Sequence, residues 1–163
     1  MDGVKSLLDG LAAVLMIPVW LALGLLSVTA LAEQPLGNVA DVIADTLRAA
    51  NQGNVDAQVN LGYLYQRGQG VPQNDIEMMK WYHAAATRGH AAAQIKLGSV
   101  YYEGKHTPRD YVQAYLWYQL AALQGYQSAV EFRDYTAKSM TPEQLLQAKR
   151  LVQDWMASPP NSP

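Results

Sequence analysis

The sequence contains no cysteine among its 163 residues, and this absence excludes several kinds of chemistry. A disulfide framework, a thiolate metal site and a cysteine nucleophile all require that residue. The only strong nitrogen ligands are His83, His90 and His106, whereas a metal site needs three or four groups that converge. Because Gly89 separates the helices of the first two, we predict no metal site and place all three histidines at the solvated surface.

An excess of charge of one sign is also lacking. Twelve lysines and arginines face fourteen aspartates and glutamates, which gives a net charge of -2. A nucleic-acid-binding domain would show a basic stripe, so no nucleic-acid partner is predicted.

Chemistry-bearing motifs are equally scarce. The carboxylates are scattered and mostly begin helices, where the helix dipole favours them. There is no Gly-x-Ser-x-Gly motif, and no glycine-rich stretch leads into a helix with a phosphate-binding lysine. We therefore predict no catalytic residues, no cofactor and no enzymatic activity.

One long apolar run lies near the start of the sequence. Leu11 to Leu26 contains no charged or strongly polar residue, and a small-x-small triplet, Ala30-Leu31-Ala32, follows it. This pattern is typical of a secretory signal that is cut after Ala32. However, Asp2 and Asp9 offset Lys5, and the run approaches the roughly 20 residues of a membrane span.

Two interpretations of residues 1–32 therefore stay open. They form either a cleaved signal peptide or a retained anchor that meets the membrane only through residues 10–32. The first makes the protein periplasmic or secreted, and the second holds it in the inner membrane facing the periplasm. Both place the remainder of the chain outside the inner membrane.

A unit of 36 residues occurs twice, at 53–88 and again at 89–124. The two copies agree at 12 positions. The identities are Gly53/Gly89, Ala57/Ala93, Gln58/Gln94, Leu61/Leu97, Gly62/Gly98, Tyr65/Tyr101, Gly68/Gly104, Pro72/Pro108, Trp81/Trp117, Tyr82/Tyr118, Ala85/Ala121 and Ala86/Ala122. A fixed period of this length is the signature of stacked helical repeats.

Each copy is predicted to form two helices, called A and B. Asn74 with Glu77, and Asp110 with Gln113, have the spacing of a capping box at the start of helix B. Trp81 and Trp117 recur at one repeat position, so we expect them in the core.

Glycine recurs in the middle of helix A. Gly62 and Gly98 each cost about 1 kcal/mol there relative to alanine. Because the cost recurs at one position, we expect a compensating close approach of two backbones.

The flanks resemble incomplete units within a domain that spans residues 39–157. A helix over about 39–50 has the ending of a repeat whose first half is missing. A degenerate third helix A is expected over about 129–138, with Ser128 as its cap. Thr141-Pro142-Glu143-Gln144 is a strong helix start, and its helix is expected to cap the array to about Trp155. Residues 33–38 are predicted as a linker and residues 158–163 as a disordered tail.

These motifs resemble the Sel1-like repeat, a relative of the tetratricopeptide repeat. The pattern is Gly-x-x-x-Ala-Gln-x-x-Leu-Gly-x-x-Tyr-x-x-Gly, then proline, a capping residue and Trp-Tyr-x-x-Ala-Ala-x-x-Gly, and it covers Gly53 to Gly125. The second copy departs from it where His106-Thr107 replaces Gly70-Val71. The resemblance implies a right-handed α-solenoid of antiparallel helix pairs that serves as an adaptor for other proteins. It also suggests an exported bacterial member with a role in signalling, envelope processes or host interaction.

The exposed side of the A helices is the candidate binding surface. Its positions differ between the copies while the core positions agree, and they are occupied by Asn60, Tyr63, Arg67, Lys96, Ser99 and Glu103, with Tyr102 beside them. One interpretation is that any polar residue suffices there for solvation. The other is that the A helices line a concave groove for a peptide or protein segment, with Tyr63 and Tyr102 as anchors.

Three functions remain possible at this point. The first is a non-enzymatic scaffold of the bacterial cell envelope that binds an unidentified protein or peptide on its concave face. The second is an envelope-active enzyme or small-ligand-binding protein with a peptidoglycan-type substrate. The third is a membrane-anchored periplasmic regulator of a signalling protein.

Overall fold

A computed structural model describes residues 38–158, and these residues form seven α-helices and no strand. The predictions for the export segment, for the linker up to residue 37 and for the tail beyond residue 158 lie outside the described residues. The helices are α1 (Val39–Asn51), α2 (Val55–Arg67), α3 (Asp75–Ala86), α4 (Ala91–Glu103), α5 (Tyr111–Leu123), α6 (Gln127–Lys138) and α7 (Pro142–Ala157).

The helices pack in the order of the chain. Each of α1 to α5 packs against the next helix, so α2–α3 and α4–α5 are the helix pairs of the two repeats, and α7 packs against α5. The predicted all-α solenoid of helix pairs is confirmed. Among residues 38–158, none of the helices combines the length and the hydropathy that a membrane span requires.

Side-chain caps begin the B helices, but the reciprocal half of each predicted capping box does not form, because the Asn74 and Asp110 N–H groups donate to the Tyr65 and Tyr101 carbonyls. The Asn74 side chain accepts hydrogen bonds from the N–H groups of residues 76 and 77, at 3.0 and 3.1 Å. Asp110 does the same for residues 112 and 113, at 2.9 and 3.0 Å. Glu77, however, forms an ion pair with Lys80 at 3.0 Å, one turn along its own helix.

The start of α7 shows the full reciprocal cap. The Thr141 hydroxyl accepts from the Gln144 N–H at 3.2 Å, and the Gln144 side chain accepts from the Thr141 N–H at 3.0 Å. The predicted cap of α6 is wrong. That helix begins at Gln127, so Ser128 lies inside its first turn, and Tyr126 occupies the cap position without a side-chain hydrogen bond.

The mid-helix glycines make room for tyrosine rings. A Cβ atom on Gly62 would lie 2.5 Å from a ring carbon of Tyr82, and one on Gly98 would lie 2.6 Å from a ring carbon of Tyr118. Both rings are buried. The expected close approach of two backbones is therefore wrong. The group that approaches each glycine is an aromatic ring from helix B of the same repeat.

A buried glutamine connects each repeat to the helix before it. The Gln58 side chain donates to the Ala50 carbonyl, and the Gln94 side chain donates to the Ala86 carbonyl, at 3.1 Å in both cases. Carbonyl groups in the last turn of a helix lack an intrahelical partner, and these bonds supply one. Gln124 adds a 2.8 Å hydrogen bond to the Gln94 side-chain oxygen. The repeated Ala-Gln pair thus fixes the stacking of successive units.

The two repeat tryptophans lie in the core, as predicted. Trp81 is 5% and Trp117 is 2% exposed. Helix α7 completes this core, because Ala148 and Val152 are buried in the same cluster as Trp117. The Trp155 ring meets the Trp117 ring edge to face, with 5.0 Å between centroids.

Candidate functional site

Three helices present the same register positions on one exposed side, which we call the A-helix face. Residues 60, 63 and 67 are spaced at i, i+3 and i+7, so they share one side of α2 while Leu61 and Gly62 are buried. Steps of 36 residues carry these positions into α4 and α6. The exposed residues at these positions form the face, and they are Asn60, Lys96, Phe132, Tyr63, Tyr135, Arg67, Glu103 and Ser139. Ser99 has the same register but is only half-exposed, and Ser139 directly follows α6.

A cleft of about 350 Å³ lies where α2 and α4 meet on this face. It brings together four of the seven residues predicted to bind a partner, namely Tyr63, Arg67, Lys96 and Glu103. The lining is completed by Gln66, Gln73, Lys105 and His106. Both repeats therefore contribute to one concave surface.

The Arg67 guanidinium is held over a ring in this cleft. Its Cζ atom lies 5.0 Å from the centroid of the Tyr63 ring. This geometry is a cation–π contact, which is worth about 0.5–1 kcal/mol at an exposed site. Both side chains are exposed, so the guanidinium is oriented while it stays accessible.

A buried tyrosine supports the floor of the cleft. The Tyr82 hydroxyl donates to the Gln66 side-chain oxygen at 3.1 Å. Burial, with a smaller contribution from Tyr63, raises the pKa of Tyr82 to about 12. The hydroxyl is protonated at neutral pH, and its bond holds the side chain of Gln66, which lines the cleft.

The loop after α4 supplies the residues that sequence periodicity missed. His106 folds back onto the start of α3, where its Nδ1 atom lies 2.8 Å from an Asp75 carboxylate oxygen. Its side chain is only 9% exposed, so the predicted surface position is wrong. The equivalent loop residue of the first repeat, Gly70, lies against Ile43 of α1. Each loop thus packs on helix B of the preceding unit, which places Lys105 beside the cleft.

The three other predicted residues do not line the cleft. Asn60 is exposed on α2. The Ser99 hydroxyl accepts a hydrogen bond from Tyr118 at 3.1 Å, so it faces the packed side of α4. The Tyr102 ring lies 5.8 Å from the Tyr135 ring and is part of an aromatic cluster at the far end of the face.

The aromatic end of the A-helix face was not predicted from the sequence. Phe132 is 45% and Tyr135 is 61% exposed on α6. The Phe132 ring contacts the Tyr118 ring, with 5.4 Å between centroids. The signal was present, because Phe132 follows Lys96 by one period of 36 residues. The loss of Leu-Gly from the third unit hid this continuity.

The two other histidines have structural partners, which corrects their predicted surface role. His90 caps α4, since its Nδ1 atom accepts from the residue 93 N–H at 3.3 Å, and its Nε2 atom lies 3.1 Å from Asp56. His83 is half-buried, with Nε2 3.1 Å from the Tyr101 hydroxyl and its ring edge-on to Trp117. Within residues 38–158, no three acidic or histidine side chains are grouped as a metal site requires.

The environment of His83 makes stability depend on pH. Burial lowers the pKa of His83 below the ordinary value for histidine. Because the unfolded chain has the ordinary value of about 6.5, it binds the proton more tightly than the folded chain does. The stabilisation is therefore fully present above about pH 6.5 and is lost as pH falls through the lower, folded pKa.

We expect the thermal midpoint of the wild-type protein to fall more between about pH 7.5 and pH 5 than that of His83→Gln. Glutamine keeps a polar partner for the Tyr101 hydroxyl but does not titrate. Circular dichroism melts of both proteins at the two pH values make the comparison. Parallel losses in the two proteins would show that His83 does not cause the pH dependence.

Comparison with known proteins gives the repeats a family. The family model of the Sel1 repeat matches residues 55–90 and 91–126. Each match begins and ends two residues later than the corresponding repeat copy, 53–88 or 89–124. No curated protein matches the chain.

Two solved structures are similar to parts of the chain. A protective antigen present in uropathogenic Escherichia coli strains, which displays an SLR fold, is 36% identical over 72% of this chain, with a TM-score of 0.68. A Sel1 repeat protein from Oxalobacter formigenes is 43% identical over 52% of this chain, with a TM-score of 0.49. The chain spans 25% and 34% of the length of these two proteins.

Proposed function

Because the chain is a Sel1-like repeat protein, we propose that it is a non-enzymatic scaffold that holds a segment of a partner protein on the A-helix face. Sel1-repeat proteins are generally scaffolds for protein–protein interaction. The observation that carries the proposal is the cleft between α2 and α4, because variable residues of two successive repeats converge there. Successive helix pairs of a solenoid build such concave surfaces for extended partners.

The buried residues of the same helices show that packing and recognition would use different positions. Leu61 and Leu97 are fully buried, and the tyrosines that fill the space beside the glycines are buried as well. The positions that agree between the copies are thus needed for packing. Asn60 and Lys96, which differ between them, are exposed and available for recognition.

The proposed place of action is the bacterial cell envelope, outside the inner membrane. The support is the apolar run from Leu11 to Leu26 with the Ala30-Leu31-Ala32 triplet after it. The length of that run favours a second candidate, a membrane-anchored periplasmic regulator of a signalling protein. Mass spectrometry of the mature protein separates the two, since a cleaved chain begins at Glu33.

Site-specific photo-crosslinking in living cells tests the binding face. A photo-reactive amino acid at Asn60 or Lys96 is expected to join the protein to a discrete partner. The same amino acid at Ile76 or Leu146, which are exposed on α3 and α7, serves as the matched control. Equal adducts from all four positions, or none from the first two, would reject the A-helix face as the binding site.

A further inference from the structure

Basic side chains are concentrated in one cleft of a domain whose positive and negative charges are equal in number. Without Lys5 and the three acidic residues before residue 38, the described part carries eleven basic and eleven acidic side chains. Three of the basic ones, Arg67, Lys96 and Lys105, line the cleft between α2 and α4. Glu103 is the one carboxylate among the lining residues. The cleft is therefore cationic although the domain as a whole is neutral.

These three cations have no ion pair among residues 38–158. Outside the cleft, three basic side chains of this part of the chain have ion-pair partners, namely Arg48 with Asp45, Lys80 with Glu77 and Arg133 with Asp134. The other five have none within the same residues, so what distinguishes the cleft is that three such groups line one concavity. The nearby carboxylate of Asp75 is occupied by His106. The cleft thus presents basic groups whose charge is not neutralised within this part of the chain.

The other end of the A-helix face offers a different surface. Phe132 and Tyr135 stand one period beyond Lys96 and Ser99, and both are well exposed. The Tyr102 ring joins them to α4. Aromatic side chains give a large contact area at a low entropic cost, and they anchor protein segments at many interfaces. The face is therefore cationic across α2 and α4, and aromatic across α4 and α6.

From this arrangement we infer that the partner is an extended protein segment with acidic residues at one end and an aromatic or bulky apolar residue at the other. The inference rests on the proposed function and specifies its ligand. Two steps between successive A helices span at least about 20 Å, since even directly packed helix axes lie 8–10 Å apart. An extended chain covers that distance in about six residues. The acidic end pairs with Arg67 and Lys96, and the apolar side chain packs on Phe132 and Tyr135.

Fluorescence anisotropy with a labelled synthetic peptide of about eight residues tests the inference. The probe has glutamates in one half and a phenylalanine in the other, and a second probe carries lysine in place of each glutamate. We expect the acidic probe to bind about ten-fold or more tightly than the basic one, and added salt to weaken it. Equal binding of the two probes would overturn the inference.

Variants locate the binding on the cleft. Arg67→Glu with Lys96→Glu is expected to weaken the acidic probe by about ten-fold or more, and to strengthen the basic one. Lys149→Glu with Arg150→Glu makes the same change of charge at exposed positions of α7 and is expected to leave both affinities unchanged. An equal loss in both double variants would overturn the inference, because attraction would then come from overall charge. Phe132→Ala is expected to weaken the acidic probe but not a version of that probe that carries alanine in place of phenylalanine.

Other occupants of the face would give other results. If a second copy of the chain filled it, sedimentation would show a dimer that Arg67→Glu with Lys96→Glu dissociates, and the inference would be wrong. Equal competition by heparin and by the acidic probe would indicate a general polyanion site, which also overturns it. Crosslinks from Asn60 and Lys96 to a partner that lacks acidic segments would retain the proposed scaffold and reject only its ligand.

Discussion

Gly62→Leu is expected to lower the free energy of unfolding by about 2–3 kcal/mol, at the upper end of the usual cost of overfilling a core. The first added atom would already lie 2.5 Å from the Tyr82 ring, which is closer than carbon atoms approach without displacement. That ring is fully buried, so it has no open space into which it could turn. Leucine has a higher helix propensity than glycine, and this difference stabilises the helix by about 1 kcal/mol at most. The destabilisation from the clash with the ring is larger.

The melting temperature measures this cost. A loss of this size corresponds to a fall of roughly 10 °C in a domain of about this length. Gly98→Leu is an internal replicate, because Tyr118 approaches Gly98 in the same way at 2.6 Å. An unchanged melting temperature in both variants would show that the glycines have no packing role.

A double variant separates the clash from a backbone effect. Tyr82→Ala removes the ring and by itself is expected to cost about 3–5 kcal/mol as a core truncation. If the ring is what excludes leucine, Gly62→Leu should cost little in that background, with a coupling energy of about 0.5–3 kcal/mol. Purely additive losses would mean that leucine strains the helix itself.

Local chemistry explains which parts of the fold could be predicted. The caps at Asn74, Asp110 and Thr141 form within three residues, so their spacing in the sequence contains the whole interaction. The bounds of α2 follow for the same reason, from its cap at Asn54 to the left-handed Gly68. The identity of the two copies at the same positions then indicated which hydrophobic residues face inward.

Long-range partners could not be predicted in the same way. Two identical glycines indicated that something approaches helix A, but the sequence does not state that the partner is a ring about 20 residues later. The contact between His106 and Asp75 spans 31 residues and depends on how one loop lies over the preceding unit. Loop conformation has no period, so the sequence predicted neither that contact nor the position of Lys105.

The candidate site likewise contains residues whose position could be predicted from the sequence and one whose position could not. Helical spacing correctly put Tyr63, Arg67, Lys96 and Glu103 on one face, and the cleft joins these four residues. Ser99 satisfied the same spacing, yet its hydroxyl is engaged by Tyr118, since a residue at the margin of a helix face can turn to either side. Whether these residues bind a partner stays a prediction that the crosslinking experiment tests.

Deleting Thr141 to Trp155 is expected to unfold the domain, and this is the largest effect that we predict. Helix α7 packs against α5, where Ala148 and Val152 are buried and Trp155 covers the Trp117 ring. Burying each large apolar side chain contributes about 1.5–3 kcal/mol. The loss of several such contacts approaches the 5–15 kcal/mol that stabilise a typical domain. Far-ultraviolet circular dichroism should show reduced helicity and no cooperative transition.

Point variants within α7 distinguish packing from chain length. Val152→Asp places a charge in the core without a partner, and it should cost several kcal/mol, because burying an unpaired charge is strongly unfavourable. Met156→Asp makes the same addition at a residue that is 58% exposed, and it should melt as the wild type does. If the deletion variant and Val152→Asp both unfolded cooperatively near the wild-type temperature, the two repeats would be stable alone. We do not expect the two repeats to be stable alone, because each unit of a stacked array buries its apolar side against a neighbouring unit. At the C-terminal end of the array, α7 is the neighbour that covers α5.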